Sequence, residues 1–272
     1  MATQAEKAEA FRALHAREGA FVIPNPWDAG SARVLAGLGF EALATTSSGF
    51  AQTLGRADGA VTRDEKIAHC HDLATAVEVP ISADLERCFA DDPKTAAETI
   101  ALAAEAGMVG ASIEDYSGDR EKPIYDFDLA VERVAAAVET ARRLPFPFML
   151  TARAEGLLRG SPDLDEVIRR LQAFEAAGAD VLYAPALTSM EQVRRVTQSV
   201  GKPVNVVAPM LKGATVAELA EAGVKRISIG GALARAMVGA TIRAGEEMLN
   251  DGTFGWVSGV ASGADMKRLR GG

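Results

Sequence analysis

The feature of this sequence that most limits its fold is a repeated unit, in which a short apolar run is followed by an amphipathic helical stretch. The apolar runs alternate little with polar residues, which is typical of strands buried on both faces of a sheet. Eight runs occur, at Phe21–Ile23, Ala42–Thr45, Val79–Ala83, Val109–Glu114, Phe148–Ala152, Val181–Ala184, Val204–Val207 and Arg226–Ile229. Because parallel strands need crossover helices, eight such units close most simply into an α/β fold of the (β/α)₈ TIM-barrel type.

Signals at the ends of the helical stretches favour the same fold. Thr62 and Glu65 have the spacing of a capping box, and Asp92 followed by Pro93 has the order of an N-cap and a first helical residue. Several helical stretches end at a glycine just before the next apolar run, as at Gly107. Glycines in that position are typical of helix C-caps, so these stretches lead into parallel strands.

The length of the chain fits one domain. It has 272 residues, and a barrel of this type needs about 250. An open doubly wound sheet is the alternative, but such a sheet usually has a glycine-rich turn after its first strand, where this chain has Pro24–Asp28. We predict a single barrel domain over residues 1–272, with a C-terminal helical extension over about residues 251–272 whose apolar residues pack against something outside the barrel.

Charge and composition exclude several classes of partner. The net charge is −8, and no run of Lys and Arg is long enough to follow a nucleic-acid backbone. The N-terminal stretch is polar and amphipathic, unlike a signal peptide, and nothing reaches the roughly 18 apolar residues of a membrane span. Two cysteines, Cys70 and Cys88, give no disulfide framework. We therefore predict a cytoplasmic protein without nucleic-acid or membrane partners.

Acidic residues are concentrated at the predicted strand ends, where barrels of this type carry their catalytic groups. Asp84 and Glu114 lie at the ends of the third and fourth runs, Arg153 follows the fifth, and Asp58 lies in the loop after the second. Crowded carboxylates repel one another, and Mg²⁺ binds a few carboxylates together with waters and substrate oxygens. The pattern predicts a Mg²⁺ site on Asp84 and Glu114, with Mn²⁺ as the alternative ion. The other interpretation is that these acids are helix caps or partners of Arg153.

Other strand-end residues suit an anionic substrate. The guanidinium of Arg153 can grip a carboxylate with two hydrogen bonds. The segment Thr46–Gly49 offers hydroxyl and backbone N–H groups to a carboxylate, although it could also be an ordinary turn. The three histidines lie in helical stretches away from the strand ends, at His15, His69 and His71. Metal, carboxylates and an arginine without a histidine base favour stabilisation of an enolate beside a carbonyl.

At these positions the sequence resembles the isocitrate lyase / phosphoenolpyruvate mutase superfamily, over nearly the whole chain. The segments that carry the resemblance are PNPWDAGSARVLAGLGFEALATTSSGFAQTLGRADG, VPISADLE, SIEDY, LTARAEG, DVLYAPAL, VNVVAPM and RISIGGALARAM. The resemblance implies a Mg²⁺-dependent barrel that acts on a small 2-oxo acid, or its precursor, through an enolate-like intermediate. It also implies a homo-oligomer, a dimer or a tetramer, in which the C-terminal extension is exchanged between subunits.

The resemblance also implies roles for individual residues. It places the metal near Asp84 and Glu114, with Asp58 as a water-mediated partner, and the substrate carboxylate on Thr46–Gly49. The complete prediction has three groups: Arg153, Glu114 and Asp58 as catalytic residues, Thr46, Ser47, Ser48, Gly49, Arg153 and Asn205 as substrate-binding residues, and Asp84 and Glu114 as metal ligands.

Departures from the family pattern limit the choice of reaction. Lyase members carry a cysteine in a lid segment, whereas the corresponding Tyr116–Ile124 has none and is short. Mutase members use a lid Lys and Asn, and this lid has only Lys122. Ser82 replaces the first acid of an Asp-Ala-Asp motif, and Arg87-Cys88-Phe89 replaces a Gly-Tyr-Gly loop. Cys88 is interpreted as a buried filler in preference to a displaced acid/base.

Three functions remain open from the sequence. The first is a short-lid carbon–carbon lyase that decarboxylates oxaloacetate or a close analogue, or cleaves a C–C bond next to a 2-oxo acid carbonyl. The second is a mutase or hydrolase that acts on the C–P bond of a compound such as phosphonopyruvate. The third is a barrel that binds 2-oxo acids without turning them over.

Overall fold

The computed structural model describes residues 2–161 and 163–270, and within them eight parallel strands form a nearly closed barrel. The strands are β1 (Phe21–Ile23), β2 (Leu43–Ala44), β3 (Ile81–Asp84), β4 (Gly110–Glu114), β5 (Met149–Arg153), β6 (Val181–Tyr183), β7 (Val204–Val207) and β8 (Arg226–Ser228). They are hydrogen-bonded in the order β1-β8-β7-β6-β5-β4-β3-β2. The Ala44 N–H donates to the Pro24 carbonyl at 3.1 Å across the remaining seam. The barrel prediction is therefore confirmed.

Helices alternate with the strands, as the crossover argument requires. They are α1 (Gln4–Ala16), α2 (Ala29–Gly37), α3 (Ser47–Thr53), α4 (Arg63–Ala76), α5 (Pro93–Glu105), α6 (Phe127–Arg142), α7 (Leu164–Ala176), α8 (Met190–Ser199), α9 (Val216–Glu221), α10 (Ala232–Asn250) and α11 (Gly263–Arg270), with 3₁₀ turns at Ala208–Met210 and Gly255–Gly259. The Thr62 hydroxyl and the Asp92 carboxylate cap α4 and α5, as their sequences predict.

Helix α1 closes the amino-terminal end of the barrel. Its buried Phe11 and Leu14 pack with residues at the starts of the strands, among them Phe21 and Met149. This apolar packing covers that end of the barrel. The opposite end, where the strands finish, is left open for a site.

The bounds of six strands differ from the predicted ones by one or two residues, and the differences change the placement of several predicted site residues. Asp84 and Arg153 are the last residues of β3 and β5, so each belongs to the sheet and not to the following loop. The second strand is only Leu43–Ala44. The predicted loop Thr46–Gly49 is in fact the start of α3, because Thr46 is its N-cap.

The C-terminal extension begins where α10 ends at Asn250 and leads into α11, which packs against α2 of its own chain. Gly37 permits this contact, since a Cβ atom there would lie 2.5 Å from the Leu269 carbonyl oxygen. Residues 271–272 of the predicted extension lie outside the described residues. Exchange between subunits remains a prediction. None of the described helices combines the length and the apolar character that a membrane crossing requires.

Candidate active site

A cleft of about 220 Å³ opens at the carboxyl ends of the strands and extends into the barrel. Six predicted site residues line it: Thr46, Ser47, Ser48, Asp58, Asp84 and Arg153. Glu114, Gly49 and Asn205 are buried behind its wall. The strand ends thus bring the predicted residues to one region, although three of them do not line the cleft.

Arg153 is the centre of the site. Its Nη1 lies 2.8 Å from Asp84 Oδ1, and its Nη2 lies 3.2 Å from Glu114 Oε2 and 2.8 Å from Glu155 Oε1. The pairing of β4 with β5 places Glu114 directly beside Arg153 in the sheet. One guanidinium therefore contacts three carboxyl groups that come from the ends of three different strands.

A second arginine supports this cluster from the lid side. Arg159 Nη2 lies 3.3 Å from the fully buried Glu155, and its guanidinium stacks over the Tyr116 ring at 3.5 Å. Glu155 follows the end of β5 by two residues and was not among the predicted site residues. Since Glu155 contacts both arginines, it helps to fix the side chain of Arg153 at the cleft.

Burial and neighbouring charges shift the pKa values of these carboxyl groups in opposite directions. Burial acts to raise the pKa of Asp84, but Arg153, Lys66 and the Ser47 N–H together hold it below its usual value. Burial raises the pKa of Glu114 well above its usual range, and burial with the nearby Asp84 and Asp58 raises the pKa of Glu86 to about 7. The cleft itself is lined by two acids, Asp58 and Asp84, and by three arginines, Arg153, Arg226 and Arg235.

The donor chemistry fits a hard divalent cation. The carboxylates of Asp58 and Asp84 and the hydroxyl-bearing residues Thr45, Ser47 and Ser48 supply oxygen donors at the cleft. Mg²⁺ is commonly held by one or two carboxylates plus waters and substrate oxygens. Within residues 2–161 and 163–270, no three His, Cys, Asp or Glu side chains converge closely enough to form a complete cage. Asp84 faces the cleft and could anchor the cation. For Asp84 Oδ1 to bind the cation, its ion pair with Arg153 would have to break.

The start of α3 forms one wall of the cleft. The Ser47 N–H donates to Asp84 Oδ2 at 3.0 Å, and the Gly49 N–H donates to the Thr46 hydroxyl at 3.3 Å. Two of the backbone donors predicted for a substrate carboxylate are therefore already used. The side chains of Ser47 and Ser48 still line the cleft.

Lys66 is a functional candidate that sequence reasoning missed. It comes from α4, yet its side chain is 1% exposed, and its Nζ donates to the Thr45 hydroxyl at 3.1 Å. The same hydroxyl oxygen accepts the Asp84 N–H at 2.8 Å. Because both acceptor positions of Thr45 are occupied, its own O–H is left to donate, and Thr45 lines the cleft.

The loop after β3 is held in a strained conformation. Glu86, Cys88 and Phe89 have φ values of 52°, 57° and 59°, a region that favours glycine. The buried Arg133 fixes this loop by donating to the carbonyls of Arg87, Ala90 and Asp91. This chain therefore holds a left-handed backbone at three non-glycine residues with hydrogen bonds from an arginine.

Cys88 in this loop behaves as a packing residue. Its side chain is fully buried, and burial raises the pKa of its thiol to about 12. Its Sγ lies 3.9 Å from the Ser112 carbonyl. A thiol of that pKa is a poor acid/base near neutral pH, in keeping with the interpretation of Cys88 as a filler.

The lid segment Tyr116–Ile124 is a short antiparallel pair, bridged between its two end residues. Lys122 forms an ion pair with Asp126 at 2.9 Å, and both side chains are mostly exposed. Its ammonium thus faces solvent and Asp126, and it is not among the residues that line the cleft.

Comparison with known proteins agrees with this architecture. Residues 11–249 match the family model of phosphoenolpyruvate phosphomutase. A protein of Mycobacterium tuberculosis without an assigned function is 32% identical over 81% of each chain. The 2,3-dimethylmalate lyase of Eubacterium barkeri is 28% identical over 76% of this chain and 72% of the lyase.

Solved structures extend the comparison to the whole barrel. A Burkholderia cenocepacia J2315 structure with a provisional lyase/mutase assignment is 56% identical and has a TM-score of 0.96. The match covers 99% of this chain and 97% of that one. A crystal structure of 2,3-dimethylmalate lyase is 29% identical with a TM-score of 0.85, over 100% of this chain and 96% of that one. The chain belongs to the isocitrate lyase / phosphoenolpyruvate mutase superfamily, whose members are lyases and mutases.

Proposed function

We propose that this chain is a Mg²⁺-dependent lyase that breaks a bond next to the carbonyl of a small 2-oxo acid through an enolate-like intermediate. The reaction is decarboxylation of oxaloacetate or a close analogue, or cleavage of a C–C bond. The observation that carries the proposal is the position of Arg153, which lines the cleft while it joins Asp84, Glu114 and Glu155. Relatives named as lyases support it.

The proposed roles follow from what each group can donate or accept. A bound divalent cation would supply Lewis-acid polarisation of the 2-oxo oxygen, with Asp84 as its anchor and Glu114 behind it. Arg153 neutralises negative charge that develops on the substrate. The hydroxyls of Thr45, Ser47 and Ser48 orient the substrate carboxylate, and Asp58 at the exposed rim exchanges protons with water.

The test is incubation of the protein with oxaloacetate and Mg²⁺, followed by measurement of pyruvate. We expect release faster than with Mg²⁺ alone, and its loss on chelation by EDTA. Replacement of Arg153 by lysine keeps one charge but removes the fork that binds several carboxylates, so activity should fall sharply. The proposal is contradicted if neither oxaloacetate nor a branched 2-hydroxy diacid such as 2,3-dimethylmalate is turned over.

The C–P alternative has weaker support from the site, because Lys122, its lid lysine, is paired with Asp126 outside the cleft. Phosphorus NMR on phosphonopyruvate decides it: a shifted or released phosphate signal would favour mutase or hydrolase chemistry over the lyase.

A non-catalytic binding protein is the remaining alternative, favoured by Ser82 in place of a family acid and by Arg153 in contact with Asp84. Tight binding of oxaloacetate in calorimetry without turnover would support it. We retain the expectation of a cytoplasmic homo-oligomer for all three functions.

A further inference from the structure

The interior of this barrel is polar beneath the cleft. Barrels of this type are usually filled by bulky branched side chains. Here the strands carry buried polar residues at Ser82, Ser112, Thr151, Asn205, Arg226 and Ser228. The cleft consequently extends from the strand ends down to Arg226, the first residue of β8.

A hydrogen-bond chain fixes the orientation of Arg226. Its Nε donates to Asn205 Oδ1 at 2.9 Å, and Asn205 Nδ2 donates to the Ser228 hydroxyl at 3.0 Å. The Ser228 hydroxyl in turn donates to the Val206 carbonyl at 3.2 Å. Asn205, predicted as a substrate-binding residue, therefore positions Arg226 instead of facing the cleft itself.

The charge of Arg226 is not compensated by a carboxylate in the part of the chain that the structure describes. Its side chain is almost fully buried, its Nη1 has no hydrogen-bond partner there, and its only side-chain acceptor is the neutral Asn205. Arg153, by contrast, contacts three acids. Burial lowers the pKa of Arg226 to about 10, which leaves the group charged at neutral pH.

An unpaired buried charge is strongly unfavourable unless something completes its hydrogen bonds. One candidate is a water shared with His15, whose Nδ1 lies 2.8 Å from the Phe11 carbonyl and whose Nε2 is also without a partner among the described residues. The other candidate is an anionic group of a ligand. Arg226 lines the cleft, so a ligand can reach it from the open end.

The sheet register relates Arg226 to Arg153. Arg153 pairs with Tyr183, Tyr183 with Asn205, and Asn205 with Arg226, so all four lie on one row across β5 to β8. Three strand spacings separate the two arginines, roughly 14 Å along the curved sheet. Because the barrel is closed by eight strands, the two side chains enter the same interior from nearly opposite walls.

We propose that Arg226 forms a second anion subsite at the inner end of the cleft, which takes the distal carboxylate of a 2-oxo dicarboxylate whose 2-oxo acid end lies at Arg153. The subsite makes the protein selective for dicarboxylates over 2-oxo monocarboxylates. This inference rests on the proposed function, since it names the substrate class of the same cleft.

The test compares two four-carbon ligands that differ in the distal carboxylate. These are 3,3-difluorooxaloacetate, a 2-oxo dicarboxylate, and 3,3-difluoro-2-oxobutyrate, in which a methyl group replaces that carboxylate, each titrated calorimetrically with Mg²⁺ present. We expect the wild-type chain to bind the dicarboxylate more tightly. Arg226→Met should weaken that binding by about 10- to 100-fold, the range for a hydrogen bond to a charged group. It should leave the affinity for 3,3-difluoro-2-oxobutyrate unchanged, and the dicarboxylate affinity of Arg226→Lys should fall between those of the wild type and Arg226→Met.

The outcomes separate this inference from the lyase proposal. Selective dicarboxylate binding that depends on Arg226, without turnover of oxaloacetate, supports the subsite and removes the lyase. Turnover of oxaloacetate with equal affinities in wild type and Arg226→Met overturns the subsite and leaves the lyase. No binding of either ligand to the wild-type chain overturns the subsite, and the turnover assay then decides the lyase proposal. If Arg226→Met unfolds, the comparison of the two ligands on the wild type and on Arg226→Lys still decides, because equal affinities mean that only water completes Arg226.

Discussion

Two buried cations, Lys66 and Arg226, hydrogen-bond to neutral side chains and form no ion pair among the described residues. Asp84, Glu114 and Arg153 were predictable because parallel strands bring their carboxyl ends to one rim. Lys66 comes from an amphipathic helix, where lysines normally reach solvent, and Arg226 begins its strand. Their burial depends on packing between distant segments, which no local pattern records.

Lys66 gives a prediction at this scale. Lys66→Met removes the ammonium that donates to Thr45 while keeping an apolar stem of similar size. We expect the affinity for oxalate, measured by calorimetry with Mg²⁺, to fall by roughly 2- to 10-fold, since one hydrogen bond contributes about 0.5–1.5 kcal/mol.

Thermal unfolding provides the second readout for Lys66. No carboxylate in the described residues depends on Lys66 for an ion pair, so stability should stay the same or rise. Lys94→Met, at an exposed position of α5, is the control. Unchanged oxalate binding in Lys66→Met would contradict the role of Thr45 as a donor to the ligand.

Among the elements, α3 and the loop after β3 depart most from the sequence expectation. Thr46 caps α3 through the Gly49 N–H, but no Glu or Gln stands at that third position to complete a capping box, so the segment resembled a turn. The loop at Glu86–Phe89 lacks glycine, and its left-handed backbone is held by Arg133 from α6. Element existence was predictable from periodicity, whereas these local conformations depend on long-range contacts.

For the whole molecule, the exposed apolar surface lies mainly on α10 and the segment after it. Large apolar side chains exposed there are Leu233, Met237, Ile242, Met248, Leu249, Phe254, Trp256, Val257 and Val260. A concentration of exposed large apolar side chains in one segment favours a subunit interface there. This supports the expectation of a dimer or tetramer, which the resemblance implied from the C-terminal extension.

Light scattering after size-exclusion chromatography measures the mass of the assembly and so tests this expectation. We predict a mass of two or four chains for the wild type, and a smaller assembly for Ile242→Glu, which places a charge in the apolar surface. Asn250→Glu adds the same charge at an exposed polar position of the same helix and should leave the mass unchanged. A monomeric wild type, or an Ile242→Glu variant with the wild-type mass, would show that the apolar surface has another role.

The central claim is that Asp84 anchors a divalent cation in a site otherwise held by Arg153. A calorimetric titration of Mg²⁺ into the protein, with oxalate present, tests this claim most directly. We predict that the wild type takes up one Mg²⁺ per chain, that Asp84→Asn loses this binding, and that Asp72→Asn, at an exposed acid of α4, retains it. Equal Mg²⁺ binding in the wild type and Asp84→Asn, or none in the wild type, would contradict the claim.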